Sequence, residues 1–220
     1  MVTIKTIHLY DTVFSHTLIH MRALTDLDQN LRETVCRVYS AAAQQPAGEQ
    51  TFPMGRDFAE SIGYPLDLLD SLPPVSIDAF TGVSNVSLFA DIPVGSTVLD
   101  LGCGAGLDSL IAARRAGSDG KVVGVDFSKA MLARARQAAA ECRIDNIEFY
   151  QADAEDLPIP NGSIDMALAN GIFNLNPGRE AIFRELGRVL RQDGIVYAAE
   201  LILREPLPRK VRNNSRNWFS

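Results

Sequence analysis

Apolar residues along this chain change their rhythm near residue 95. Before that point they recur at helical spacing or with no clear period. After it, short apolar runs alternate with amphipathic stretches. From Leu27 to Gln44, the residues Leu31, Val35, Val38 and Tyr39 share one helical face, and no Gly or Pro intervenes before Pro46. This predicts an amphipathic helix. Arg56 to Ile62 and Pro65 to Ser71 predict two shorter helices. Pro65 suits a first helical position, and Pro73-Pro74 stops what precedes it. Thr81-Gly82-Val83-Ser84-Asn85 reads as a loop, and Asp91 to Gly95 as a turn. Residues 1–25 fit neither a period of two nor one of 3.6. The expectation is a mostly helical N-terminal cap over residues 1–93, laid on a main domain over residues 94–220.

From Thr97 the alternation is regular. Strands are predicted at Thr97 to Leu101, Lys121 to Val125, Ile147 to Tyr150, Ile164 to Ala169 and Ile195 to Leu203. Helices are predicted at Leu107 to Ala116, from Ser128 as N-cap to near Cys142, and at Arg179 to Leu190. Asp153 to Pro160 reads as a loop, and Gln192-Asp193-Gly194 as a turn into the last strand. Strands alternating with helices imply an α/β fold, a Rossmann-like parallel sheet with helices on both faces. The chain turns polar and basic from Arg204 and closes on Asn217-Trp218-Phe219-Ser220. Aromatic side chains at that position lead to the expectation that the C-terminal part of the fold is missing.

Composition narrows the function classes. The 220 residues are 46% hydrophobic, ample for one core. A net charge of -6 argues against nucleic acid as an electrostatic partner. No apolar run approaches the roughly 20 residues of a membrane span, and residues 1–16 lack the charged-then-apolar order of a secretion signal. No membrane partner is expected. Cys36, Cys103 and Cys142 show no metal-site or CxxC spacing. That is the simplest sign of a reducing, cytoplasmic setting. His16 and His20 would share a helix face but have no third ligand nearby, so they read as a surface pair and no metal is expected.

The chemistry concentrates between Thr97 and Asp126. Asp100 to Gly106 reads DLGCGAG, an apolar strand running into a glycine cluster. A dinucleotide site wants its third glycine one position later, for packing a helix under a pyrophosphate. Asp100, two residues before the first glycine, would repel a pyrophosphate and suit an ammonium group. Asp126 ends the next strand, where a carboxylate accepts both hydroxyls of a ribose. Asp153 follows the third strand, placed to accept from an exocyclic amine. Each acid alone could equally be a cap or turn carboxylate. Together they describe a ligand that is cationic, ribose-bearing and base-bearing, without phosphate. S-adenosylmethionine fits that description, and NAD fits it poorly.

These residues resemble a family. VLDLGCGAG, GKVVGVDFS with Met131-Leu132, QADAEDLP, DMALANGIFNL and RELGRVLRQDG look like the class I S-adenosylmethionine-dependent methyltransferases, over about Val94 to Glu200. The resemblance implies a seven-stranded sheet with the cofactor across the first two strands of the alternating region. It implies that Asp100 and the glycines Gly102 and Gly104 hold the methionine end, Asp126 the ribose, and Asp153 and Ala154 the adenine, with Asn170 bordering the methyl group. Cys103, Phe127 and Met131 would also belong to the cofactor site. A narrower resemblance is to arsenite methyltransferases. It is carried by Gly63-Tyr64-Pro65, Phe80 to Asn85, Asn170 to Leu175, and Pro206 to Trp218. In that group an N-terminal helix lays a tyrosine near the cofactor, which corresponds to Tyr39. Arsenic is held there by cysteine thiolates, soft ligands for a soft centre. The corresponding positions here are Val83 and Gly171, and the third lies just past Ser220.

The expected function is methyl transfer from S-adenosylmethionine to a small-molecule acceptor. No obligatory catalytic dyad is expected, because a sulfonium is already an excellent leaving group. Two alternatives remain at this level: a nicotinamide-dependent oxidoreductase, and a non-catalytic cofactor-binding module. The acceptor and the oligomeric state are not written in the residues.

Overall fold

The structure, a computed structural model, describes residues 3–6, 26–48 and 52–202. The His16/His20 pair and the segment from Leu203 onward lie outside the described residues. Six strands form one sheet: β1 (Thr3–Thr6), β2 (Thr97–Leu101), β3 (Lys121–Asp126), β4 (Ile147–Gln151), β5 (Ile164–Asn170) and β6 (Leu190–Ala199). Their order is β1-β6-β5-β2-β3-β4, and every pairing is parallel. Eight helices accompany them: α1 (Asp26–Gln44), α2 (Gly55–Ser61), α3 (Leu66–Asp70), α4 (Pro74–Ile77), α5 (Val86–Phe89), α6 (Leu107–Ala116), α7 (Lys129–Glu141) and α8 (Arg179–Val189). Among the described residues no helix is long and apolar enough to cross a membrane.

The central strands read as unbroken apolar runs because both of their faces are covered. Leu99, Leu101, Val123, Val125, Ala167 and Ala169 point to one side and meet Ile182, Leu186 and Val189 of α8. Val98, Val122, Met166 and Leu168 point to the other and meet Ala112, Ala113 and Ala116 of α6. Beyond α6, Leu107, Leu110 and Ile111 pack with Tyr64, Leu69, Ile77 and Phe80 of the N-terminal helices. α1 joins through Ala43, which clusters with Ala79, Ala105 and Met131.

Strand order reverses at β2. The chain steps from β2 to β3 to β4 in one direction, then returns to place β5 on β2's other side. Diverging loops at such a switch point leave a crevice at the carboxyl ends of the strands. The glycine loop after β2, Asp126 at the end of β3, Asp153 after β4 and Asn170 at the end of β5 all stand at that edge.

Five details differ from expectation. Six strands stand among the described residues where the family resemblance implies seven. Thr3–Thr6 pairs with Ile195 to Ala198 of β6 and so belongs to the sheet edge, not to a helical cap. Pro73-Pro74 ends one helix and also begins the next, with Pro74 at the first position of α4. Leu190 is extended (φ -68°, ψ 137°) and pairs with Ile164, so it opens β6 and does not close α8. The Gln192-Asp193-Gly194 turn becomes a bulge, because Ile164 pairs with Leu190 while Met166 pairs with Ile195. Asp193 takes the left-handed φ of 63° that the bulge needs.

Candidate functional site

The glycine loop is built by strand ends and held by its own amides. Gly102 has φ +75°, and a Cβ there would lie 3.1 Å from Ile172, so only glycine fits both the turn and the close approach. The N–H groups of Gly102 and Cys103 donate to the Val125 carbonyl at 2.8 and 3.0 Å. Gly106 N donates to Cys103 O at 2.9 Å. Gly104 N donates to Asp126 Oδ2 at 2.9 Å. The N–H groups of all three glycines in the loop are therefore committed inside the protein. A phosphate cradle needs such amides free and converging on the ligand.

Asp126 joins the loop to α7. Its second oxygen, Oδ1, accepts from Ser128 N at 2.8 Å, and Ser128 Oγ caps α7 by accepting from Met131 N at 3.3 Å. Asp126 is 7% exposed. Burial pushes its carboxyl up to about 6, against the pull of the two backbone N–H bonds. Each oxygen keeps a lone pair for a ligand hydroxyl.

A cavity of about 510 Å³ opens beside Asp126. That volume suits a ligand of nucleoside size with an amino acid tail. Its walls carry Tyr39, Gly102, Gly104, Asp126 and Phe127, with Met131, Asp153, Ala154 and Asn170 further round. Nine of the eleven sequence-predicted residues are thus brought together. Asp100 and Cys103 are not on this cavity. They line an adjoining small one of about 40 Å³, which shares Gly102, Gly104 and Asn170 with the larger. Asp100 is buried and accepts from Ser109 Oγ at 2.5 Å. Burial, and then the charge of Asp108, push its carboxyl up to about 8. Cys103 is buried against Gly124, and burial drives its thiol well above the ordinary range.

Asn170 borders the cavity, but its amide serves the protein. Oδ1 accepts from Val83 N at 2.8 Å and Ser84 N at 3.1 Å. Nδ2 donates to Ser84 O at 2.6 Å and Asp108 Oδ2 at 2.8 Å. Asn170 is thus a clamp on the loop before α5. Asp108, unforeseen from sequence, anchors that clamp. It also accepts from Tyr64 Oη at 2.6 Å and from the Ser87 hydroxyl. Glu200 plays a similar part after β5, accepting from Phe173 N at 2.6 Å, and burial raises its carboxyl.

α1 forms the roof. Arg32, Val35, Cys36 and Tyr39 fall on one stripe of it and all line the cavity, as does Glu33. Tyr39 stacks on Phe52 with centroids 5.1 Å apart. Burial, then the charges of Glu200 and Asp126, push its phenol up to about 12, so it stays protonated. Gly171, Ile172, Leu175 and Asn176 after β5 complete the walls. A Cβ on Gly171 would lie 3.1 Å from Val83 Cγ1. The two positions that the resemblance assigns to arsenic-binding thiolates are therefore neighbours, and here they present no sulfur. Of the three cysteines, only Cys36 lines the large cavity.

A parallel sheet with acids at successive strand ends, and a glycine loop that keeps its amides to itself, defines a class I S-adenosylmethionine-dependent methyltransferase domain. Comparison with known proteins agrees. The chain belongs to the family described as "Methyltransferase domain", which matches residues 92–219. It is 35% identical over 154 residues to an arsenite methyltransferase of Halobacterium salinarum, a match covering 70% of this chain and 39% of the relative. It is 36% identical over 101 residues to a demethylmenaquinone methyltransferase of Listeria monocytogenes, covering 46% of this chain and 42% of the relative. Among solved structures, an arsenic(III) S-adenosylmethionine methyltransferase from Chlamydomonas reinhardtii superposes with a TM-score of 0.56 at 26% identity, over 70% of this chain and 52% of that one. The chain thus spans less than half the length of these curated relatives.

Proposed function

We propose that this protein transfers the methyl group of S-adenosylmethionine to a small-molecule acceptor. The observation that carries the reading is the committed glycine loop. Its amides turn inward, to Val125 and Asp126, while the Asp126 carboxylate borders the cavity. That arrangement favours a ribose-bearing ligand without phosphates over a dinucleotide. When bound, the sulfonium supplies an activated methyl group with a neutral thioether as leaving group. The residues of the chain hold and orient. Asp126 accepts from the ribose hydroxyls, and Asp153 and Ala154 border the adenine. Tyr39, on the roof, excludes water above the transfer path.

We propose further that the acceptor is a compact, largely apolar molecule and not arsenite held by a set of thiolates. Val83 and Gly171 stand side by side where the thiolates would be, and Val35, Ile172 and Leu175 supply apolar wall. In this reading the N-terminal helices act as a cap on the methyltransferase domain. The three free thiols support a reducing, cytoplasmic setting.

Titration calorimetry tests the proposal. The wild type should bind S-adenosylmethionine, and Asp126→Ala should weaken binding by about a hundredfold, as expected for two lost hydrogen bonds to a charged acceptor. No binding by the wild type, or unchanged affinity in the variant, would sink it.

A further inference from the structure

The two halves of α1 rest on different supports. The C-terminal half lies on packed protein. Ala43 clusters with Ala79, Ala105 and Met131, and its carbonyl, near the helix end, accepts from Arg134 Nη1 at 3.1 Å. Ser40 Oγ lies 2.8 Å from Ser128 Oγ. The span before Tyr39 lies over the cavity, with Arg32, Glu33, Val35 and Cys36 on its wall. Arg32 is at the far end of that span, about 10 Å along the helix from Tyr39. There its Nη2 is paired with Glu155, in the loop that supplies Asp153 and Ala154 to the cavity wall. The side chains of the pair are 29% and 15% exposed, so water and salt screen it less than a surface pair.

The same arginine carries a penalty in this arrangement. Arg32 Nε is buried without a hydrogen-bond partner, the one such side-chain nitrogen or oxygen among the described residues. A buried donor without an acceptor is disfavoured against a hydrated one. Moving Arg32 off Glu155 and into water would satisfy it. The contact that holds the roof down is thus favourable at Nη2 and unfavourable at Nε, which narrows the free-energy gap between roof closed and roof open.

We infer that the span of α1 before Tyr39 is a gate, latched by Arg32 on Glu155, and that it opens to pass ligand into and out of the cavity. Tyr39, stacked on Phe52, and Ser40, bonded to Ser128, mark where the fixed half begins. The identity of the ligand as the cofactor rests on the function proposed above. The latch rests on the ion pair and on the unequal support of the helix.

Two measurements test the gate on the wild type, Arg32→Gln, Glu155→Gln, the double variant and Gly178→Ala. A Cβ on Gly178 would overlap the Glu155 carboxylate, so the last variant displaces the latch with both charges kept, at a φ of -88° that suits alanine. The first measurement is the rate at which N-ethylmaleimide alkylates Cys36 in ligand-free protein, read by peptide mass spectrometry. Cys36 is on the cavity wall, and Cys142, beside Arg114 and away from the cavity, is the internal control. Each variant should label Cys36 about fivefold faster, the factor for losing a partly shielded ion pair, with Cys142 unchanged. The second measurement is the kinetics of S-adenosylhomocysteine binding by surface plasmon resonance. Association and dissociation should both quicken by about fivefold and leave Kd within about twofold, because the latch closes the roof with or without ligand. The double variant should be no faster than either single one, since both remove the same interaction.

Unchanged Cys36 labelling in the variants would overturn the gate. Faster labelling of Cys36 and Cys142 together would overturn it as well, as a general loosening of the fold. An unchanged association rate would sink it even if dissociation quickened, since Arg32 would then hold ligand and not admit it. Additive acceleration in the double variant would rule out a single latch. If the wild type binds no S-adenosylhomocysteine while Cys36 labelling responds as expected, the cofactor reading fails and the gate stands.

Discussion

Asp126 and Asp100 are carboxylates that the fold holds above their ordinary range, at about 6 and about 8. Burial is the first cause of both. Asp108 adds to the rise at Asp100, while Ser109 and the backbone N–H groups at Asp126 oppose it. Both groups bind protons more tightly folded than unfolded. Their contribution to stability is therefore fully present below the ordinary aspartate value and is lost as pH rises toward about 6 and about 8. A cationic, hydroxyl-bearing ligand wants both groups ionised, so its affinity should rise through the same window. Opposite trends in one pH range are the signature. Urea denaturation at pH 5 and pH 9 should show Asp100→Asn gaining on the wild type by roughly 2 kcal/mol or more at the higher pH. Its affinity for S-adenosylmethionine should keep the rise near pH 6 that belongs to Asp126 and lose the part near pH 8 that belongs to Asp100. A constant difference in stability across pH would show that Asp100 is ionised throughout.

At the level of elements, the cavity depends on a clamp that ties the loop before α5 to the end of β5. Asp108 accepts from Tyr64, Ser87 and Asn170, and Asn170 holds the backbone of Val83 and Ser84. Asp108→Ala leaves several buried donors without acceptors and should destabilise the protein by about 3 kcal/mol or more. Asn170→Ala should lose about 2 kcal/mol and free the loop, with protease cleavage near residue 83 as a second readout. The sequence reading did not foresee this clamp. An acid in the first turn of α6 reads as a helix-terminus charge, and its partners lie on three other elements. The strands at the centre of the sheet were legible, because apolar runs covered on both faces and bounded by turns have few other readings. β1 was not, because Thr3-Ile4-Lys5-Thr6 takes its strand character from the open edge of β6. Leu190 continues the apolar stripe of α8, yet its backbone pairs with Ile164. In the site, acids at strand ends were legible by position. Arg32 and Cys36 were not, although the stripe that carries Val35 and Tyr39 also carries them.

For the whole molecule, the roof of α1 and the acids beneath it belong to parts of the chain far apart in sequence. A ligand that touches both should therefore stabilise the fold as a unit. α1 is anchored at its C-terminal half by Ala43 against Ala79, Ala105 and Met131, and by Ser40 Oγ at 2.8 Å from Ser128 Oγ. Ser128 N in turn donates to Asp126. Occupying the cavity thus loads the helix, the α7 cap and the glycine loop together. A ligand present at a hundred times its dissociation constant adds about 2.7 kcal/mol to stability. For a chain of this size each kcal/mol moves the melting midpoint by about 2–4 °C, so the expected rise is about 5–10 °C. S-adenosylhomocysteine should produce that rise, and Asp126→Ala should abolish it at the same ligand concentration. NADH should produce none, because its pyrophosphate would meet a glycine loop whose amides already serve Val125 and Asp126. A rise with NADH and none with S-adenosylhomocysteine would return the cavity to the dinucleotide class, and would mean that the loop re-forms on binding to release its amides.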